Sequence, residues 1–262
     1  MAKFFIGTSG WAYKDWGKKF FPKGLPPSEH LSYLAKHFNT VEINASFYRL
    51  QPPKNYRHWR EVTPRDFIFA VKVSRYITHI QRMKITRQVW LKFYKATLQL
   101  KGKQGPFLFQ FPSYFTGRPD QIDRIDQFLK KNRKDKKIRM AFEFRHKDCF
   151  SSEMLAVLKK YNAALVFANS SKFPKAPWVS DADFVYFRLH GPRRLFGSSY
   201  SEKELNKLAR IMKKYCREGK DVYVYFNNDM DANAAANAKL LQKLLAFKRK
   251  RIPKEDKLEG DL

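Results

Sequence analysis

Short, nearly continuous apolar runs alternate along the chain with stretches whose apolar residues recur at helical spacing. The runs are Phe4–Gly7, Val41–Asn44, Ile68–Val73, Phe107–Phe111, Arg139–Phe144, Leu165–Ala168, Phe184–His190 and Val222–Asn227. Rich in β-branched and aromatic residues, they read as strands covered on both faces, the pattern of a parallel sheet. Ser28-Glu29 opens the first helix, where Leu31, Leu34, Ala35 and Phe38 share one face. Further helices are predicted over Pro53–Val62, Thr86–Leu100, Asp120–Asn132, Ser151–Asn162, Ser201–Cys216 and Ala232–Phe247. Residues 169–183, with Ser-Ser and two prolines, read as loop with room for only a short helix.

Eight strands with helical crossovers predict a single (β/α)8 TIM barrel. A doubly wound open sheet is the competitor, but no GxGxxG follows a strand, and Gly7-Thr8-Ser9-Gly10 has the wrong spacing. At 262 residues the chain suits one domain over residues 1–247, followed by a charged tail over 248–262 that begins Lys248-Arg249-Lys250-Arg251. Lys130–Arg139 is a second basic run, and both basic runs read as solvated surface.

Alternation within the strands places single charges where apolar residues are expected. Glu42 and Asn44 share a face opposite Val41 and Ile43; Lys72 sits between two valines. Glu143 and Arg145 oppose two phenylalanines, and Tyr186, Arg188 and His190 oppose Val185, Phe187 and Leu189. Tyr223, Tyr225 and Asn227 share the last strand's face, with Asp229 just beyond. A lone buried charge costs several kcal/mol, so these two carboxylates and two cations are expected to pair across the barrel axis. Two readings stand side by side: a neutral salt-bridge plug, or the floor of an active site.

The active-site reading gives Glu42 and Glu143 acid–base roles, with His190 moving a proton or donating a hydrogen bond. Lys72, Arg75, Arg145 and Arg188 would hold an anion, while Asn44, Asn227 and Asp229 orient the ligand. Aromatics near the strand ends (Trp11, Tyr13, Trp16, Phe47, Tyr48, Phe115, Trp178, Phe196 and Tyr200) are expected mostly to wall the barrel top, with Trp11 and Tyr48 the better ligand contacts. No HxH, HExxH or DxH pair is present, so no metal ligand is assigned and no cofactor is expected.

Charge shifts the weighting among ligands. Fifty-three Lys and Arg against 24 Asp and Glu leave a net +29, which attracts polyanions, so an anionic ligand or nucleic acid is the expected partner. A basic proteome with spare surface lysines would leave the same mark. No run approaches the roughly 20 apolar residues that cross a bilayer, and the N-terminus lacks a signal-peptide core, so a cytoplasmic location without a membrane partner is expected. Cys149 and Cys216 read as buried thiols. Oligomeric state is left open.

Several motifs resemble the YecE-like family, a domain of unknown function. They are Ile6-Gly7-Thr8-Ser9-Gly10-Trp11, Phe38–Asn44, Phe47-Tyr48-Arg49 and Phe69-Ala70-Val71-Lys72. Others are Arg75–His79, Phe109-Gln110-Phe111-Pro112, Glu143-Phe144-Arg145-His146, Arg188–Pro192 and Tyr225–Asp229. The resemblance spans nearly the whole chain and implies a TIM barrel, but no established reaction. Asn169 stands where the family usually has aspartate, Phe196 where tyrosine is common, and Met230–Asn233 replaces a glycine-rich stretch.

The functional expectation is therefore an enzyme that binds a phosphate-bearing ligand, with nucleic acid among the candidates, and hydrolyses it by acid–base chemistry. A non-catalytic nucleic-acid-binding module is the alternative, and glycoside hydrolysis by paired carboxylates ranks last.

Overall fold

A computed structural model describes residues 2–132 and 138–245. Eight parallel strands, β1 (Phe4–Ser9), β2 (Thr40–Ile43), β3 (Ile68–Lys72), β4 (Gln104–Gln110), β5 (Met140–Glu143), β6 (Ala164–Asn169), β7 (Phe184–Leu189) and β8 (Asp221–Phe226), close in sequence order into a barrel. The helices are α1 (His30–His37), α2 (Ala45–Tyr48), α3 (Pro53–Glu61), α4 (Arg87–Thr97), α5 (Pro119–Asn132), α6 (Ser152–Lys160), α7 (Glu202–Arg217) and α8 (Asn233–Leu244). The fold is the expected (β/α)8 barrel.

Side-chain parity sets the two cores. Outward residues such as Ile6, Val41, Val71, Phe109, Phe142, Phe187 and Val224 pack under the helices in the larger cluster. Inward residues Ala70, Leu108, Ala141, Val166, Tyr186, Tyr223 and Tyr225 fill the lower barrel, where Phe5 stacks on Tyr223 at 4.5 Å. Small residues on β3, β5 and β6 face tyrosines on β7 and β8, as a closed interior of fixed volume requires. At the lower rim Arg139 bonds Asp221 at 2.6 Å and the Tyr223 hydroxyl at 2.9 Å. It thus ends the basic run as a structural contact; residues 133–137 of that run and the whole 248–262 tail lie outside the described residues.

Several element ends differ from the sequence pattern. β4 begins at Gln104, three residues early, because Gly105 lies tight against the neighbouring strand: a Cβ there would come within 3.0 Å of the Phe69 carbonyl oxygen. Thr86–Leu100 divides into α4 and a tight turn, with Lys101 at positive φ. α8 begins at Asn233, and predicted positions 246 and 247 lie outside the described residues. Residues 170–183 carry no helix. α7 starts with a full capping box between Ser201 and Glu204. Two short elements carry no sequence period long enough to read: α2 after β2, and a five-residue π-helical turn, Tyr76–Ile80, after β3. Both project residues into the barrel mouth. No described helix is long and apolar enough to cross a membrane.

Candidate functional site

Arg188, near the end of β7, is the hub. Its Nε donates to Glu42 Oε2 at 3.0 Å, and its Nη2 to Glu42 Oε1 at 2.8 Å. Nη1 reaches Glu143 Oε2 at 2.6 Å. Nη2 also contacts Ser9 Oγ at 3.1 Å and Asn227 Oδ1 at 3.5 Å. Four inward side chains, from β1, β2 and β5 and from just after β8, thus converge on one guanidinium. Tyr186 donates to Glu42 Oε2 at 2.7 Å, and Ser9 donates to Glu42 Oε1. Two anions surround this one cation, and Lys72 is a second positive group near enough to lower Glu42, though it forms no ion pair with it among the described residues.

These contacts fix the ionisation of the floor. Burial alone would raise both carboxyls, but the Arg188 cation outweighs it and holds Glu42 below, and Glu143 well below, the usual carboxylate range. Lys72 and His190 add to the effect at Glu42 and Glu143 respectively. Burial works against the Arg188 cation too, yet Glu143 and Glu42 raise its pKa further. All three side chains stay charged and almost completely shielded from solvent.

Above the floor opens a cleft of about 730 Å³ at the C-terminal ends of the strands, where barrel enzymes carry their chemistry. Its walls differ. From β3 to β5 come Lys72, Arg75, His79, Gln110, Tyr114 and Arg145; from β8, β1 and β2 come Asn227, Asp229, Gly10, Trp11, Tyr13, Asn44, Phe47 and Tyr48. Arg188 and Phe196 complete the lining from the β7 side.

Lys72 Nζ lies 4.0 Å from the centre of the Phe47 ring and, among the described residues, makes no hydrogen bond to protein. Burial, then Arg188, pushes its pKa down to about 7, against the pull of Glu42 and Glu143. Arg145 stacks over Phe173 at 4.0 Å and touches Glu143 only through Nε at 3.5 Å, which leaves its outer nitrogens for a ligand. The π-helical turn brings in His79, whose Nδ1 sits 2.9 Å from Thr78 Oγ1. Burial, then Lys72, Arg145 and Arg75, pushes it down to about 4, so it is neutral at pH 7. On the opposite wall, burial pushes Asp229 up to about 7.

The sequence-derived site residues therefore fall into two layers. Trp11, Asn44, Tyr48, Lys72, Arg75, Arg145, Arg188, Asn227 and Asp229 line the cleft. Glu42, Glu143 and His190 do not: they are completely buried beneath it. Asn227 Nδ2 donates to His190 Nδ1 at 3.2 Å, and His190 Nε2 approaches Glu143 Oε1 at 3.5 Å, so that imidazole braces the floor. Burial lowers its pKa against the pull of Glu143. Tyr48 is 72% exposed at the lip. Of the other aromatics, Tyr13, Phe47 and Phe196 reach the cleft, whereas Trp16, Phe115 and Tyr200 are buried. Asn169 turns away and accepts a hydrogen bond from Tyr200 at 2.8 Å, so exchanging a carboxylate there does not alter the cleft wall. The sequence pattern assigns no ligand-contact role to His79, Tyr13 or Gln110, which line the cleft. His79 is the instructive case, because its inward position depends on a π-helical turn that no periodicity marks.

No group of three or more His, Cys, Asp or Glu side chains among the described residues is arranged to hold a metal ion. Arg188 occupies the place between Glu42 and Glu143 where a cation would otherwise sit.

Fold and cleft together define a single (β/α)8 barrel with a cation-walled pocket at the strand C-termini. The chain belongs to the family described as "Protein of unknown function DUF72", which matches residues 5–260. The UPF0759 protein YunF of Bacillus subtilis is 26% identical over 92% of this chain and 94% of its own length. The UPF0759 protein YecE of Escherichia coli is 28% identical over a shorter span, 48% of this chain and 43% of that protein. A DUF72 family protein from Thermotoga maritima superposes with a TM-score of 0.82 at 25% identity, over 93% of this chain and 99% of the other. One from Enterococcus faecalis gives 0.77 at 22% identity, over 95% and 99%. The family carries the fold without naming a reaction.

Proposed function

We propose that the protein is an enzyme that binds a phosphate-bearing ligand in the mouth cleft and hydrolyses its ester by acid–base chemistry. The observation that carries this reading is the cationic wall left unpaired among the described residues: Lys72 without a hydrogen-bond partner, Arg145 with free outer nitrogens, and Arg75 at the rim, all facing one cleft. An anion there would restore the charge balance that burial and Arg188 disturb at Lys72.

The proton-transfer roles move from the floor to the wall. Glu42 and Glu143 are locked onto Arg188, held ionised and shut away from the cleft, so they act as positioning residues that fix the guanidinium. Lys72, poised near neutrality, donates a proton to the leaving oxygen; neutral His79 accepts one from the attacking water. Hydrolysis of a phosphate ester asks little more, since catalysis there is mostly positioning and charge stabilisation. Glycoside hydrolysis would need two carboxylates facing a sugar across the cleft, and both are bound to Arg188 instead.

Phosphate release from a panel of phosphomonoesters tests the reading. Turnover that falls roughly 10²–10⁴-fold in Lys72→Met, with the fold intact, supports it; turnover unchanged in Lys72→Met and His79→Ala refutes the assignment. A binding module for nucleic acid is the second reading, favoured by the net +29. Under it, retention on random DNA falls steeply with salt and is indifferent to Lys72→Met.

A further inference from the structure

We propose that the ligand is a phosphorylated sugar or polyol, lying across the cleft with its phosphate on the β3–β5 wall and its hydroxyls donating to Asn44 and Asp229 on the opposite wall. This deepens the anion-binding reading above and rests on it.

The walls are chemically unequal. Lys72, Arg75 and Arg145 all come from the β3–β5 side, and all three depress His79 between them. Among the described residues, the β8–β1–β2 side contributes no lining cation. It carries instead two side-chain oxygens, Asn44 Oδ1 and Asp229 Oδ1, that are buried and have no hydrogen-bond partner among the described residues. The Asn44 amide is already oriented, because its Nδ2 donates to Ser9 Oγ at 3.0 Å, and this turns its oxygen away as an acceptor. Asp229 is anchored through its backbone, whose carbonyl accepts from Trp16 Nε1 at 2.8 Å; its Oδ1 is left over.

Buried acceptors without donors are costly unless something fills them. An inorganic anion would satisfy the cations and leave both oxygens orphaned. A neutral sugar would do the reverse. A dianion with charge at both ends would set its second anion against Asp229. A molecule with one anionic end and a hydroxyl-bearing body satisfies both walls, and about 730 Å³ accommodates it. Trp11 and Tyr13, on the hydroxyl side, offer apolar faces to the C–H edges of such a body.

Sugar–phosphate chemistry also occurs in nucleic-acid strands, so the test separates the two sources. Calorimetric titrations use ribose 5-phosphate, inorganic phosphate, ribose and a short single-stranded DNA, on the full chain and on Asp229→Ala, Asn44→Ala and Arg145→Ala. Ribose 5-phosphate is expected to bind at least about tenfold tighter than inorganic phosphate. Asp229→Ala should erase that preference while sparing inorganic phosphate, and Arg145→Ala should weaken both phosphate ligands.

A preference that is absent, or that survives both Asp229→Ala and Asn44→Ala, overturns this proposal and leaves the anion-binding reading standing. Failure of wild type to bind either phosphate ligand, or equal binding to Arg145→Ala, overturns the underlying reading itself. With the preference confirmed, DNA that competes with ribose 5-phosphate and is weakened by Asp229→Ala assigns the source to a nucleic-acid strand; DNA that does not compete assigns it to a free sugar phosphate.

Discussion

The Arg188 guanidinium grips both oxygens of Glu42, through Nε at 3.0 Å and Nη2 at 2.8 Å. It holds Glu143 with its remaining nitrogen. A planar fork does what a point charge cannot. Arg188→Met should therefore leave two buried carboxylates unpaired and lower stability by about 3–5 kcal/mol or more. Arg188→Lys should recover only part of that. Urea unfolding at pH 7 measures both, and a loss below about 1 kcal/mol for Arg188→Met would show that the floor is not held by this hub.

Lys72 gives stability a pH dependence of defined sign. Its folded pKa, about 7, lies below the ordinary 10.5. Between those values the unfolded chain binds a proton that the native chain does not, so stability rises with pH, by at most about 1.4 kcal/mol per unit. Lys72→Met should remove this slope and should be the more stable protein at pH 7. Unfolding curves at pH 7, 8 and 9 for both proteins, compared as differences, decide it.

Anion affinity should run the other way. Protonated Lys72 attracts an anion, so binding weakens as pH rises through about 7. Sulfate is a suitable probe because its own charge is constant there. Titrations at pH 6 and 8 should differ for wild type and differ less for Lys72→Met, in which Asp229 still titrates in that range.

Asp229 and His79 pull stability in opposite directions. Burial raises Asp229 to about 7, so the native chain holds a proton that the unfolded chain loses, and stability falls as pH rises from about 4 to 7. His79, pushed down to about 4, makes stability rise between 4 and 6.5. Asp229→Asn should remove the first trend, expose the second, and exceed wild type in stability above pH 7. Chemical denaturation from pH 4 to 8 reads this directly.

Gly7 tests the barrel closure. A Cβ at this inward position would come within 2.0 Å of the Thr40 carbonyl oxygen on β2. Gly7→Ala must push β1 and β2 apart, with a loss of several kcal/mol, on the scale of overpacking at a rigid backbone contact. A melting temperature within a degree or two of wild type would contradict the register Gly7↔Thr40.

Strand number and inward parity were readable because a barrel interior punishes any error in alternation. Glu42, Lys72, Glu143 and Arg188 each stand out as a lone charge in an apolar run; Glu42, Glu143 and Arg188 meet at one centre, whereas Lys72, expected to pair with them, stands over Phe47 in the cleft wall. What alternation does not carry is depth along the strand. Glu42 and Asn44 share a face, yet two residues separate a sealed carboxylate from a cleft-facing amide. Glu143 and Arg145 divide in the same way. The short turns after β2 and β3 are set by tertiary contacts, such as Ser46 donating to the Lys72 carbonyl at 2.6 Å, and local pattern gives no sign of them. His79 enters the cleft for that reason.

The most direct test is to soak crystals of the protein in phosphate and look at the barrel mouth. An ordered phosphate held by Lys72 and Arg145 above Arg188, and lost in Lys72→Met, is the predicted result. An open cleft free of phosphate, with anions bound only to surface lysines, would contradict the account.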